Sequence, residues 1–254
     1  MTEFELIARI FRPLGGDRGD VTLGIGDDAA LLVPPPASEL VACVDTLVEG
    51  VHFPAACDPF DIGWRAAATN LSDLAAMGAE PRWATLALTL PHSDVSWLEQ
   101  FAAGLAAACE PWRVALVGGD TTRGPLTVSL QLMGSIPRGE ALLRRGARVG
   151  ELVYVSGTLG DAAAGLELFE ACASSSSAVA FLRQRFLRPA PRLALGYALR
   201  GIATSCIDIS DGLLADAGHL AAAGSVQLCL RAAALPRSAG LNACFRPERG
   251  SAAA

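Results

Sequence analysis

Aspartate is the residue type that recurs where this chain could do chemistry. Asp27 and Asp28 lie side by side in GIGDDAALL, Asp45 ends the apolar run LVACV, Asp120 ends VALVGG, and Asp208 follows TSCI with Asp211 three residues further on. Each falls where an apolar segment, read as a buried strand, emerges. In open α/β sheets ligands gather outside such strand ends, at glycine turns and helix N-termini. Asp73 is different, because it interrupts an Ala-rich stretch read as a helix, on the same face as Asn70. A carboxylate buried on so apolar a helix needs a partner or a cation. Taken singly, an aspartate after a strand is more often a turn former or a helix cap, and Asp61, Asp94 and Asp161 are assigned to that class. The remaining aspartates repeat one setting, flanked by Gly, Ser and Thr and, except for Arg123 behind GGDTT, without a basic neighbour. Gathered in one cleft they would repel one another unless divalent cations sat among them. Oxygen donors without imidazole or thiolate favour Mg²⁺ over zinc, and Mg²⁺ bridges phosphate oxygens. The expected ligand is therefore a phosphate-bearing molecule held through Mg²⁺, with Asp27 and Asp28 among the metal ligands.

Composition removes several rival chemistries. All 20 basic residues are arginines, so the lysine of a P-loop, of a protein kinase strand or of a Schiff-base enzyme is missing. The 3 histidines form no H-E-x-x-H motif, there is no G-x-S-x-G elbow, and the 7 cysteines contain no C-x-x-C. The cysteines read as small core fillers. A chain of 254 residues with 52% hydrophobic and 18% charged residues is globular in composition, and its net charge of −6 with scattered arginines gives no reason to expect nucleic acid or an anionic membrane as partner. No apolar run approaches the ~18–20 residues that span a bilayer, and the N-terminus lacks a signal-peptide pattern, so a cytoplasmic location is expected.

The elements that must position these aspartates alternate between strand and helix patterns, which predicts an α/β fold. Helices are expected over 4–11, 59–78, 96–109, 162–171, 179–187 and 191–200, with strands in VTLGIGDDAALLV, in LVACVDTLVEGVHF, and over 82–90, 114–122, 126–136, 151–157 and 204–210. A serine run at 174–177 reads as a loop. The pattern restarts after RRGARVG, giving one domain over 1–138 and a second over 148–254. Trp83, Trp97 and Trp112 read as core or interface anchors, His92 as a loop residue, His219 as a helix-surface or core residue, and His52, after the strand that carries Asp45, as facing a ligand.

In order and spacing, GIGDDAALL, DTLVEGVHF, NLSDLAAMGA, GGDTTRGPL, SGTLGDAAAGL and IDISDGLLADAGHL resemble the motifs of the thiamine-monophosphate kinase family. That family belongs to the superfamily of aminoimidazole ribonucleotide synthetase, selenophosphate synthetase and the hydrogenase-maturation dehydratase. The resemblance implies direct in-line transfer of the γ-phosphoryl group of Mg-ATP onto thiamine monophosphate, giving thiamine diphosphate. It implies Mg²⁺ ligands at Asp28, Asp45, Asp73, Asp120, Asp208 and Asp211, ATP contacts from Gly119, Asp120, Arg144 and Ser210, and His52 facing the thiamine phosphate. It also implies a two-domain fold and a homodimer, in which the N-terminal sheets form a shared barrel and a second α/β domain closes each ATP cleft. Two departures stand out. Cys43-Val44-Asp45 replaces the family's usual Ser-Thr-Asp, from which weaker metal binding is expected. The family also continues through a GGEDYEL segment where this chain reads RPERGSAAA, so the second domain is expected to be truncated and its sheet incomplete. Two alternatives stay open: an ATP-dependent synthetase of the same superfamily, and a catalytically impaired nucleotide-binding or dimerisation remnant.

Overall fold

The computed structural model describes residues 3–171 and 176–245. Part of the expected serine loop, Cys172 and the RPERGSAAA tail lie outside the described residues. Helix α1 (Glu3–Leu6) runs on through a wide turn at Ile7–Phe11, close to the helix expected over 4–11. The stretch VTLGIGDDAALLV, expected as strand, is a short antiparallel hairpin of β1 (Val21–Leu23) and β2 (Leu31–Leu32), with Asp27 and Asp28 in the connection. Two adjacent carboxylates with glycine at 24 and 26 favour a loop over a ladder, and Asp27 turns back to accept the Asp28 N–H at 2.9 Å.

The next six elements follow the expected alternation: β3 (Ser38–Val48), α2 (Pro59–Ala76), β4 (Glu80–Leu90), α3 (Val95–Cys109), β5 (Ala115–Arg123) and β6 (Thr127–Pro137). The four long strands form one sheet in the order β3-β6-β4-β5, with β4 and β5 parallel and the other pairs antiparallel. Strand alternation decides which side chains meet the helices. Leu86, Leu88, Val128, Leu130 and Leu132 face α2 and α3, and each is at most 4% exposed. Burying a leucine this fully contributes roughly 1.5–3 kcal/mol. On the opposite face the β1–β2 hairpin covers β4 and β5, packing Val21, Ala30 and Leu32 on Trp83, Ala115 and Val117. The β3 part of that face stays open, with Leu40 57% and Val44 63% exposed.

Helix α2 begins where Asp58 accepts the Phe60 N–H and Pro59 fills the first turn, and it ends at Gly78, whose φ of +70° closes the chain back on Leu74 and Ala75. Asp61, expected to be a cap, is not one. It is 8% exposed and ion-pairs with Arg188, because Asp58 already serves as the cap. Asp94 does cap α3, accepting from Ser96 and Trp97.

Beyond Pro137 the described regular elements are helical: α4 (Asp161–Ala171), α5 (Ser177–Leu187), α6 (Leu193–Leu199), α7 (Leu213–Gly224) and α8 (Ala239–Cys244), with short 3₁₀ turns. The strands expected over 151–157 and 204–210 are not formed among the described residues. A strand exists only as a paired strand, and these segments form no ladder among the described residues: the Thr204 hydroxyl donates to the Glu151 carboxylate at 2.8 Å, and the Cys206 N–H donates to the Leu143 carbonyl at 2.9 Å. Leu152 and Tyr154 are left 76% and 84% exposed. The helical half is fastened to α2 by the Trp64 indole N–H on the Pro189 carbonyl at 3.0 Å, by Arg65 over the Phe186 ring at 4.5 Å, and by Arg200 on the Gly78 carbonyl at 2.6 Å. Trp83 is buried, Trp97 stacks on Phe101 and Trp112 meets Tyr197 edge-on, so all three are anchors.

Candidate functional site

Three of the expected aspartates converge. Asp45 projects from β3 toward α2, on the same strand face as Cys43 and Leu47, while Asp73 comes from α2 and Asp208 from the segment before α7. Asp73 and Asp208 line a cavity of about 240 Å³ together with Cys43, Met77, Arg144 and Cys206. The electrostatics record the crowding. Burial, followed by the charges of Asp208 and Asp45, pushes the Asp73 carboxyl up to about 6. Burial also raises Asp208, against a hydrogen bond from the Ser72 hydroxyl at 3.0 Å, and raises the Cys43 thiol next to Asp73 and Asp45. Arg144 is the cation that opposes the rise at Asp73. Cys43 brings its sulfur within 3.5 Å of the Asn70 side-chain and backbone oxygens, where the family's usual serine would place a hydroxyl.

The other expected ligands stand elsewhere. Asp120 lies on β5 beside Ala87, on the face of the sheet away from α2, and is exposed. Along the register Asp45–Leu130–Leu86–Gly119, Asp120 sits at the far edge of the four-stranded sheet, about 14 Å across from Asp45 at the usual strand spacing. Asp27 and Asp28 are exposed in the hairpin loop, and that hairpin packs on Trp83 and Val117, toward β5. Gly119 cannot be another residue, since a Cβ would fall 1.9 Å from the Leu86 carbonyl oxygen at a φ of +154°. Ser210 and Asp211 sit in the exposed turn after Asp208. His52 lies in the turn after β3 and is exposed, with its Nδ1 accepting the Val48 N–H at 3.0 Å, so its Nε2 is free to carry the proton. Among the described residues no three Asp, Glu, His or Cys side chains come together closely enough to hold a metal ion. The expected aspartates therefore fall into two groups, one toward each edge of the sheet.

Two residues of the site escaped the sequence reading. Ser72, beside Asp73, donates to Asp208, and Asp216 holds the Ser210–Gly212 turn; nothing in the residue type of either marks it. Asp161 is structural: 1% exposed, it accepts from Thr158 and Ser238 and faces Arg185 at 3.7 Å. A second cavity, about 250 Å³ between Arg12, Arg18 and Leu116, is lined by none of the expected ligands.

The fold and these acidic strand ends define the class of protein. The AIR synthase related protein, N-terminal domain, matches residues 26–136, which hold Asp27, Asp28, Asp45, Asp73 and Asp120. The thiamine-monophosphate kinase of Escherichia coli K12 is 48% identical over 249 residues, which make up 97% of this chain and 77% of that protein. The crystal structure of the thiamine-monophosphate kinase of Stenotrophomonas maltophilia K279a superposes with a TM-score of 0.89 at 49% identity, covering 97% of this chain and 79% of that one. A further structure, AaThiL complexed with AMPPCP and TMP, superposes with a TM-score of 0.79 at 38% identity over 95% of this chain and 76% of that one. The chain belongs to the thiamine-monophosphate kinase family.

Proposed function

We infer that this chain phosphorylates thiamine monophosphate with Mg-ATP as a homodimer, in sites assembled from the β3 edge of one copy and the β5 edge of the other. The observation that carries the reading is the division of the aspartates into two groups at opposite edges of one sheet. The phosphotransferase activity follows from membership of the family and from AaThiL holding AMPPCP and TMP. The open β3 face, with Leu40 and Val44 exposed, is the apolar surface a second copy would cover, and closing the sheet into a shared barrel would remove both edges.

In this arrangement Asp45, Asp73, Asp208 and Asp211 of one copy face Asp27, Asp28 and Asp120 of the other. Their donor set is all oxygen, and bound cations would offset both causes that hold Asp73 high, burial first and then the charges of Asp208 and Asp45. These carboxylates would hold Mg²⁺, whose charge would offset that on the transferring phosphoryl group. The chain's own side chains orient the reactants. Arg144, which lines the cavity, supplies a positive charge, Gly119 and Ser210 contact the nucleotide, and the Nε2–H of His52 donates to the acceptor phosphate. Residues 1–138 serve as the metal- and nucleotide-binding and dimerisation domain, and 148–254 as the domain that closes over the nucleotide, in a cytoplasmic enzyme. Among the described residues no helix is long and apolar enough to cross a membrane. The direct test is formation of thiamine diphosphate and ADP by the purified chain, with thiamine monophosphate omitted as control. ADP formed without regard to thiamine monophosphate, or no product at all, refutes the activity.

A further inference from the structure

We infer that Asp216 is a positioning residue, whose carboxylate holds the turn from Asp208 to Gly212 in the shape that presents Asp208, Ser210 and Asp211 to the nucleotide. The inference rests on the reading of those residues given above. Asp216 lies in the first turn of α7 and is 3% exposed. A single oxygen, Oδ2, accepts both the Ser210 N–H at 3.0 Å and the Gly212 N–H at 3.1 Å. These donors flank Asp211, so one buried atom fixes the backbone on both sides of it.

Two side-chain ties hold this turn among the described residues, and Asp216 makes the one at its Gly212 end. Residues 204–210 join no ladder among the described residues, and no side chain caps α7 from Gly212, whose φ is +114°. The other end of the turn is tied separately, by the Ser72 hydroxyl donating to Asp208 Oδ2 at 3.0 Å. Ser72 neighbours Asp73 on α2, so this tie fixes Asp208 relative to Asp73. Asp216 therefore supplies the second of two anchors, and it does so although its charge adds to the repulsion on Asp208. A carboxylate so nearly buried beside other carboxylates is costly, and two backbone N–H groups left without an acceptor would also be costly. Because one oxygen takes both hydrogen bonds, an amide oxygen at the same place can do the same work, whereas a methyl group cannot.

The test compares Asp216→Ala, Asp216→Asn and, as a control, Asp94→Ala, which removes the N-cap of α3 and lines neither cavity. Mg-AMPPNP is titrated into each by calorimetry, and exchange of the Ser210 and Gly212 amides is followed by NMR. The expected result for Asp216→Ala is nucleotide affinity about tenfold weaker or worse, with both amides exchanging at least about tenfold faster. Asp216→Asn should restore both to within about threefold of the parent, and Asp94→Ala should leave both unchanged. If Asp216→Ala does not fold, Asp216→Glu takes its place. It keeps the charge but moves the oxygen by one methylene, and it should lose affinity like the alanine variant. Parent-like binding and exchange in Asp216→Ala, or an equal loss in Asp94→Ala, would overturn the inference. Failure of the parent to bind Mg-AMPPNP would count against the proposed function instead, and the amide exchange would still decide the role of Asp216.

Discussion

Mixing two inactive variants should restore activity if the site is shared between copies. Asp73→Asn spoils the half-site at the β3 edge and Asp120→Asn the half-site at the β5 edge, so each homodimer carries two defective sites. The separation that makes this so is the width of the sheet. Two ligands of one Mg²⁺ lie at most about 4 Å apart, given metal–oxygen distances near 2.1 Å, whereas the edges that bear Asp45 and Asp120 are about 14 Å apart within one chain. No single ion bridges that gap. In a mixed dimer one site takes Asp73 from the Asp120→Asn chain and Asp120 from the Asp73→Asn chain, and is intact. The other site collects both substitutions. Random pairing makes about half the dimers mixed, each with one intact site of two, so about a quarter of parental sites should return. The assay is thiamine diphosphate formation and Mg-AMPPNP stoichiometry after the two differently tagged variants are refolded together. Mixed dimers recovered through both tags, yet with no activity and no nucleotide bound, would show that each site is built within one chain.

Further outcomes follow from single features. Asp73→Asn alone should abolish Mg-AMPPNP binding while the far-UV circular dichroism stays that of the parent; retained affinity would remove Asp73 from the metal site. Gly104→Ala would place a Cβ 1.9 Å from the Phe60 carbonyl oxygen, where α2 and α3 touch backbone to backbone. Overpacking of about 1–3 kcal/mol should outweigh the roughly 1 kcal/mol that alanine gains in a helix, so the urea midpoint should fall; a rise would show the helices separate freely. Asp20 is held at about 2 by Arg18 first and by Arg82 and Trp83. Its stabilisation is present above the ordinary value of 3.8 and is lost as pH falls toward 2. Thermal melts of Asp20→Asn should therefore lose less stability than the parent between those two pH values, and parallel curves would contradict the assignment. Arg188→Ala strands the Asp61 carboxylate, 8% exposed, on α2. A cost of about 1–3 kcal/mol is expected in chemical denaturation, and no cost would mean that the ion pair does not fasten α5 to α2.

The sequence pattern was a good guide wherever an element's own periodicity was strong, even where its partner lay far along the chain. Strands over 82–90, 114–122 and 126–136 and helices over 59–78 and 96–109 carry their own periodicity, and the structure forms them within two residues of those limits. The segments 151–157 and 204–210 are equally apolar, but whether such a run becomes a strand depends on a free edge beside it, which periodicity does not encode. The site divides in the same way. The residue type of Asp45, Asp73 and Asp208, and the helix that carries Asp73, could be read along the chain. That Asp120 and the Asp27–Asp28 pair belong to the other edge of the sheet could not, because strand order is a property of the folded sheet. Ser72 and Asp216 act through hydrogen bonds across 136 and up to 6 residues of sequence, with nothing in their residue types to mark them.

The open edges of the sheet set a condition on when this enzyme can work at all. In the proposed shared-site dimer a newly made copy would hold only half of each ligand set, so a solitary chain is expected to consume no ATP, and catalytic output should rise more steeply than the amount of protein when copies are scarce. Dilution below the dimer dissociation constant would then switch turnover off without damaging a single chain, and return to higher concentration would switch it on again.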